Sequence, residues 1–428
     1  MNETTFARRR PRDFDGSSSA EQTVFAATED LLGTVTLQDL TVAQIIGAAG
    51  VSRANFYHYF ANKYDVVVAL LGRVLEDSYS AAGPWTESPG RDRARQLGVS
   101  LDNTLSMWSE HGAVICAVLE HMHTKPAVAA AWQQVFNQFV DSLAEQITFM
   151  RSEDAAPAGP EAATLAAMLV GGTERAFYVA ARGLDPNLVI GDLTEPLRAV
   201  NEAAIEGQRA GAFTTGPERT FAVGELTVPE VEGDTARTLL SAMAELLVDR
   251  TLADLSVTQL LEKAGVSRAS FYFYFRSIED AFVVLFREAA VEIVAGLAAA
   301  LTDVVDGGPG DLRELISSWL VLDGNAAAVI RSAVHTWPRL PALRDEYLTA
   351  MGAMKTTLES SIELQRARGV IPDGPPTPGY AAVVLWTIER AVAGSLAGEE
   401  HVGDLDVVLD SVTRMLSAVL YNAPLPAE

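Results

Sequence analysis

Apolar residues along the chain recur at helical spacing rather than in alternation. Val42, Ile45, Ile46 and Ala49 mark one stripe of a short helix. Val66, Val67, Leu70, Leu71, Val74 and Leu75 mark the wider stripe of a longer helix, predicted from about Asn62 to Ala82. Further helices are predicted at 20–33, where Phe25, Leu31 and Leu32 face the motif, and at 161–182 and 192–208. The remainder of 92–208 has the same character, with Pro126 near one helix start, and no run in this half alternates as a strand would. The expected fold class is all-α.

The pattern occurs twice. Residues 40–60 return as 255–275 at a constant offset of 215 and without a gap; the AGVSRA segment and the F-Y-x-Y-F spacing are unchanged. Further pairs follow. Trp108 returns as Trp319 at offset 211, His123-Thr124-Lys125-Pro126 as His335-Thr336-Trp337-Pro338 at 212, and Glu174-Arg175-Ala176 as Glu389-Arg390-Ala391 at 215. An offset lost and regained means loops of different length between paired helices. The chain is therefore a tandem duplication. Its expected parts are an arm at 1–19, a helix-turn-helix domain at 20–66, a helical regulatory domain at 67–208 and a linker at 209–234. A second helix-turn-helix at 235–281 and a second regulatory domain at 282–424 complete it. Loops are expected at 84–90, 155–160, 307–310 and 372–378, and a short extended segment at 221–228.

Local chemistry explains the helix-turn-helix. Thr41 and Gln44 have the spacing of a capping box, with Leu40 and Ile45 as its hydrophobic staple; Ser256, Gln259, Leu255 and Leu260 repeat the four roles. Gly50 follows the stripe and suits a left-handed helix end. Ser52 then caps a second short helix, with Phe56 and Phe60 on its inward side. Two helices across so short a turn cross steeply, as in DNA-reading motifs. An arginine can grip guanine and an asparagine adenine, while tyrosines and lysines hold phosphates.

The A-G-V-S turn, the aromatic cluster Tyr57-His58-Tyr59-Phe60 and Lys63 after it resemble the DNA-binding domain of the TetR family of transcriptional regulators, over 28–65 and again over 243–280. The resemblance implies contact with a double-stranded DNA operator through Thr41, Arg53, Ala54, Asn55, Tyr57, His58, Tyr59 and Lys63. In the second copy the corresponding set is Ser256, Arg268, Ser270, Tyr272, Phe273, Tyr274 and Arg276. The copies differ there: Asn55 becomes Ser270, His58 becomes Phe273, Lys63 becomes Ile278, and Arg276 replaces Ala61. An asymmetric operator is expected. The alternative is a protein-binding co-regulator or scaffold in which one or both motifs are degenerate for DNA.

The family's helical C-terminal domain dimerises and usually takes a small ligand. Trp108-Ser109-Glu110-His111-Gly112 and Glu174-Arg175-Ala176-Phe177-Tyr178 resemble the ethionamide-regulator branch, whose members have a long apolar channel. The resemblance implies a small apolar effector held by Trp108, Met122, Trp132, Phe136, Phe139, Met168, Phe177 and Tyr178. Trp319, Trp337, Met351, Met354 and Trp386 are the second copy's candidates. A stripe of this kind is more often the pattern of plain core, and what favours a pocket is the resemblance rather than the spacing. Glu174 and Arg175, and Glu389 and Arg390, are neighbours in sequence and so point apart, each toward another helix. With both copies on one chain, an intrachain pseudo-dimer packed through the last helices is expected, with further self-association open.

Charge adds a constraint. The net charge is −24, with 16 Lys and Arg against 26 Asp and Glu in 1–215 and 16 against 30 in the rest. The overall balance argues against nucleic acid, so binding must rest on local clusters such as Arg8, Arg9, Arg10 and Arg12. The one cysteine, Cys116, excludes an intramolecular disulfide and fits a reducing cytoplasm, and no charge-free apolar run is long enough to span a membrane. The arginine-rich start is not followed by the apolar stretch of a signal peptide. His111, Cys116, His121 and His123 are spaced poorly for one metal site. No phosphate loop, nucleophile elbow or HExxH motif is present, so neither an enzyme nor a cofactor is expected.

Overall fold

The computed structural model describes residues 19–79, 91–217, 219–227, 231–306, 312–320 and 324–423; the regular elements among them are all helices, with no strand. The arginine arm and the loops at 84–90 and 307–310 lie outside the described residues. The chain divides into two compact units. Unit 1 holds residues 1–149 and 174–194; unit 2 holds 150–173 and 195–428.

In the first copy the helices are α1 (Ser19–Leu32), α2 (Val42–Ala49), α3 (Arg53–Tyr59), α4 (Lys63–Tyr79), α5 (Arg91–His121), α6 (Pro126–Ser152), α7 (Ala162–Ala181) and α8 (Thr194–Glu206). The capping box forms: Thr41 Oγ1 accepts from Gln44 N at 3.2 Å and Gln44 Oε1 accepts from Thr41 N at 2.8 Å. Gly50 ends α2 at φ 64°. Unit 1 is cored by Val24, Phe25, Leu37, Leu40, Ile45, Phe56, Phe60, Val66 and Val67, joined by Val114 and Val118 of α5. Phe25 meets Phe60 edge-on at 5.7 Å.

Cys116 belongs to this interior and is 1% exposed. Burial pushes its thiol up to about 12. A thiolate is the reactive form, so the fold makes this cysteine inert rather than a redox sensor.

The second copy repeats the plan with α9 (Asp234–Asp249), α10 (Val257–Ala264), α11 (Arg268–Tyr274), α12 (Ile278–Asp306), α13 (Leu312–Leu320), α14 (Gly324–Thr336), α15 (Pro341–Ala367), α16 (Thr377–Ala397) and α17 (Leu405–Tyr421). One pairing from the sequence shifts. Pro126 opens α6, but its partner in structure is Pro341, which opens α15 at offset 215; Pro338 of the His-Thr-x-Pro match lies in the turn before it. In place of α5 the described residues of the second copy form α13 and α14. α16 is long and apolar enough to cross a membrane by length and composition, yet 78% of that stretch is buried inside the fold, as a core helix is.

The linker is held against a helix over its described residues. Within unit 2 it runs along α15: Gly224 N donates to Thr357 Oγ1 at 2.9 Å, Ala222 N to Ser360 Oγ at 2.6 Å and Gly216 N to the Ala367 carbonyl at 3.0 Å. Arg219 pairs with Glu363 at 2.7 Å. The short extended segment expected at 221–228 pairs with no strand among its described residues; these N–H groups go to side chains of a helix instead. A Cβ on Gly224 would collide with the Ala353 backbone, so the strap needs glycine there.

Unit 2 also takes in the first copy's segments 150–173 and 195–208. Arg414 of α17 donates to the carbonyls of Ala204 at 2.8 Å, Ile205 at 2.9 Å and Ala158 at 2.8 Å. Gly172 lies so close to Thr387 of α16 that any side chain would collide with it. Burial, with Arg151 nearby, lowers the Arg414 guanidinium to about 10. The surrounding carbonyls supply the partners that a buried cation requires.

Two outcomes follow. Gly265→Ala, at φ 68° with open space around the position, costs about 1 kcal/mol through backbone strain alone, measured by urea unfolding. The raised Cys116 pKa stabilises the fold below the unfolded thiol value of about 8.5, and that contribution is lost as pH rises toward the folded value. A thiol reagent at pH 8 therefore labels the native chain far more slowly than the chain in denaturant.

Candidate nucleic-acid interface and ligand cavity

α3 is only seven residues long and has no stability of its own. Ser52 caps it, accepting from Asn55 N at 3.1 Å, and Phe56 and Phe60, each 1% exposed, fix it to unit 1. With those rings inward, Arg53, Ala54, Asn55, Tyr57 and His58 are exposed, and Tyr59 is half-buried. The Arg53 guanidinium stands 6.0 Å from the Tyr57 ring centre. Thr41 is exposed at the start of α2.

Lys63 has a second task. Its ammonium donates to the Gln38 carbonyl at 2.9 Å and the Leu40 carbonyl at 2.7 Å, tying α4 to the turn before α2. Burial lowers its pKa, opposed by Asp39 and reinforced by Lys125. These two bonds use two of the ammonium's three N–H groups. Lys125 lies 4.9 Å over the Tyr64 ring, which brings a further cation to the same end of α4.

α11 is built likewise on Phe271 and Phe275. Its surface differs. Arg268 Nη2 donates to Thr258 Oγ1 of α10 at 3.3 Å, and Ser270 Oγ is 2.9 Å from Ser267 Oγ. The Tyr274 hydroxyl packs against Gly233, where a Cβ would crowd it. Tyr272 is 52% and Phe273 81% exposed; Arg276 is exposed, and Ser256 is exposed at the α10 cap. Ile278, in place of Lys63, is buried.

The ligand candidates divide. In unit 1, Trp108 stacks on Phe177 at 5.7 Å, and both are buried with Phe136. Trp132 Nε1 donates to Glu174 Oε2 at 3.1 Å. The Tyr178 hydroxyl donates to Glu120 Oε1 at 3.2 Å, beside the Arg182–Glu120 pair at 2.8 Å; burial and Glu120 raise the Tyr178 pKa. Met122 and Phe139 are half-buried. Met168 is buried and belongs to unit 2.

Unit 2 contains a cavity of about 110 Å³. Phe286, Ala290 and Ile293 of α12, Ile330 and Val334 of α14, Tyr347, Ala350, Met351 and Met354 of α15, and Leu385, Ile388 and Glu389 of α16 line it, together with Trp319. The volume is of the order that holds one aromatic ring. Trp319, Met351 and Met354 of the candidate set are among the lining residues. Trp337 and Trp386 do not line it: Leu385, Ile388 and Glu389 occupy the cavity face of α16, and Trp386 is turned from it against Trp337 at 5.9 Å. Tyr347 and Glu389 were not among the candidates. Tyr347 is the counterpart of Trp132 at offset 215, and its hydroxyl donates to Glu389 Oε1 at 2.7 Å as Trp132 donates to Glu174. Adding the offset to Trp132 would have found it. Both glutamates reach a neighbouring helix as expected. Arg390 instead turns to Glu399 just past its own helix, at 2.8 Å.

Two of the four candidate metal-ligating residues are otherwise engaged. His111 Nδ1 lies 2.6 Å from Glu29 Oε1 on α1, and His121 Nδ1 lies 3.0 Å from the Ala117 carbonyl. Among the described residues no group of three or more ligating side chains converges.

The comparisons with known proteins agree with this geometry. The family model of bacterial regulatory proteins of the tetR family matches residues 24–70 and 239–284, and that of the C-terminal domain of the transcriptional regulator EthR matches 98–207. The HTH-type transcriptional regulator EthR of Mycobacterium tuberculosis is 29% identical over 169 residues, covering 39% of this chain and 78% of that protein. Its counterpart from Mycolicibacterium smegmatis is 26% identical over 178 residues, covering 41% and 82%. A solved structure of a putative TetR-family regulator from Syntrophomonas wolfei aligns over 43% of this chain and 93% of its own, at 13% identity and a TM-score of 0.36. The chain belongs to the TetR family of bacterial transcriptional regulators, with the family's DNA-binding region present twice and an EthR-like C-terminal domain in the first copy.

Proposed function

We propose that this protein is a cytoplasmic, ligand-released repressor that binds an asymmetric operator as a single-chain pseudo-dimer. The observation that carries the reading is the surface of α3: a helix anchored by two buried phenylalanines, with Arg53, Asn55, Tyr57 and His58 turned outward together. Those are the groups that contact base edges and phosphates in a major groove. The pseudo-dimer is supported by Arg414 of the second copy, which holds carbonyls from the first copy's last helix and its α6–α7 connection.

The effector site is the unit 2 cavity. Its lining is apolar except for Glu389 and the Tyr347 hydroxyl, which suits a small apolar molecule with one hydrogen-bond donor. Two paths lead from it to the second reader. α12 lines the cavity with Phe286, Ala290 and Ile293, begins at the buried Ile278 and packs on α9. α14 lines it with Ile330 and Val334, and between them Arg331 donates to the Leu247 and Val248 carbonyls at the end of α9, at 2.7 and 2.8 Å. A ligand that fits only one arrangement of these helices shifts the population of the reader's positions.

Selection of genomic fragments retained by the full chain tests the reading; recovery of proteins and no DNA would favour the co-regulator alternative. On the selected operator, Arg53→Ala costs about 1–3 kcal/mol of binding and Arg268→Ala less, compared by gel shift. Affinity falls steeply between 50 and 200 mM salt because phosphate contacts release counterions. Ala350→Phe fills the cavity, so apolar compounds that raise the melting temperature of the native chain leave this variant unshifted.

A further inference from the structure

We infer that the second reader recognises thymine through its C5-methyl group and that Phe273 is the residue that does so. The inference rests on DNA binding by this helix. Buried Phe271 and Phe275 define the inward side of α11. Ala269 and Phe273, four residues apart, form the ridge on the opposite side, and both are exposed, Phe273 to 81%. The outermost ridge of a recognition helix goes deepest into the major groove. In the first copy that ridge is Ala54 and His58, and a histidine can exchange hydrogen bonds with base edges.

Three polar groups of α11 meanwhile have contacts on the motif itself, while the Tyr272 ring stands exposed beside the ridge. Arg268 reaches Thr258, a residue that is Ala43 in the first copy. Ser270, in place of Asn55, bonds to Ser267. The Tyr274 hydroxyl packs on Gly233. On the ridge itself stand an alanine and a phenylalanine, the latter the most exposed of the helix's aromatic side chains. In the major groove the apolar feature that a base offers is the thymine methyl, and alanine and phenylalanine side chains are among those that meet it. Exposed Arg276 beyond the ridge supplies a charge for the backbone. The two readers therefore differ in kind: the first reads by hydrogen bonds, the second by a methyl contact.

The test uses the full chain and a duplex operator selected from random DNA. Each thymine is replaced in turn by deoxyuridine, which pairs identically and lacks only the methyl. The expected result is a loss of about fourfold at one or two positions of one half-site, the effect of exposing one methyl-sized group. Phe273→Ala and Phe273→His remove that dependence without touching the buried anchors. Deoxyuridine tolerated throughout that half-site, or a loss that persists unchanged in both variants, overturns the assignment while leaving the regulator reading intact. Failure of the native chain to select any duplex overturns both and assigns the ridge to a protein partner.

Discussion

Each reading helix hangs on a pair of phenylalanine rings. Seven residues close too few hydrogen bonds to hold a helix in water, so α3 and α11 exist because Phe56 and Phe60, or Phe271 and Phe275, are buried. The serine cap before each helix and the left-handed glycine before that set its direction. Everything that the motif offers outward depends on this anchoring. Because the anchor is apolar and inward, the outer face is free to change without loss of the fold, and the two copies use that freedom differently.

The parts most legible in the sequence were those governed by local rules. Capping boxes, the glycine turn and the inward phenylalanines come from spacing alone, and the structure reproduces each one. The Pro126 helix start and the α7 boundaries come from the same kind of signal. What the sequence did not reveal depends on contacts between distant segments. Lys63 bonds to carbonyls more than twenty positions away, and no local pattern shows that. The linker's bonds to α15 are equally long-range, and Gly224 is there for close approach to the Ala353 backbone. Trp386 looked like a pocket residue until the orientation of α16 turned it toward Trp337.

Duplication also shows which interactions are retained when side chains change. A donor on α6 or α15 reaches a glutamate on α7 or α16 in both copies, although the donor is an indole in one and a phenol in the other. The geometry of that bridge has outlasted the identity of its donor. By contrast, the connection between the DNA-binding and regulatory helices has been rebuilt. The first copy uses His111 with Glu29, and the second uses Arg331 on helix-end carbonyls. Helix ends leave carbonyls without intrahelical partners, which makes them ready acceptors for such a replacement.

The Arg414 clamp has a bearing on abundance. Two separate chains joined through their last helices come apart as they are diluted, since assembly then depends on concentration. Here the clamping side chain and the carbonyls it holds are on one polypeptide, so their encounter is intramolecular and independent of how many molecules a cell contains. In the single-chain arrangement proposed above, a gene product made in very few copies would still keep this contact.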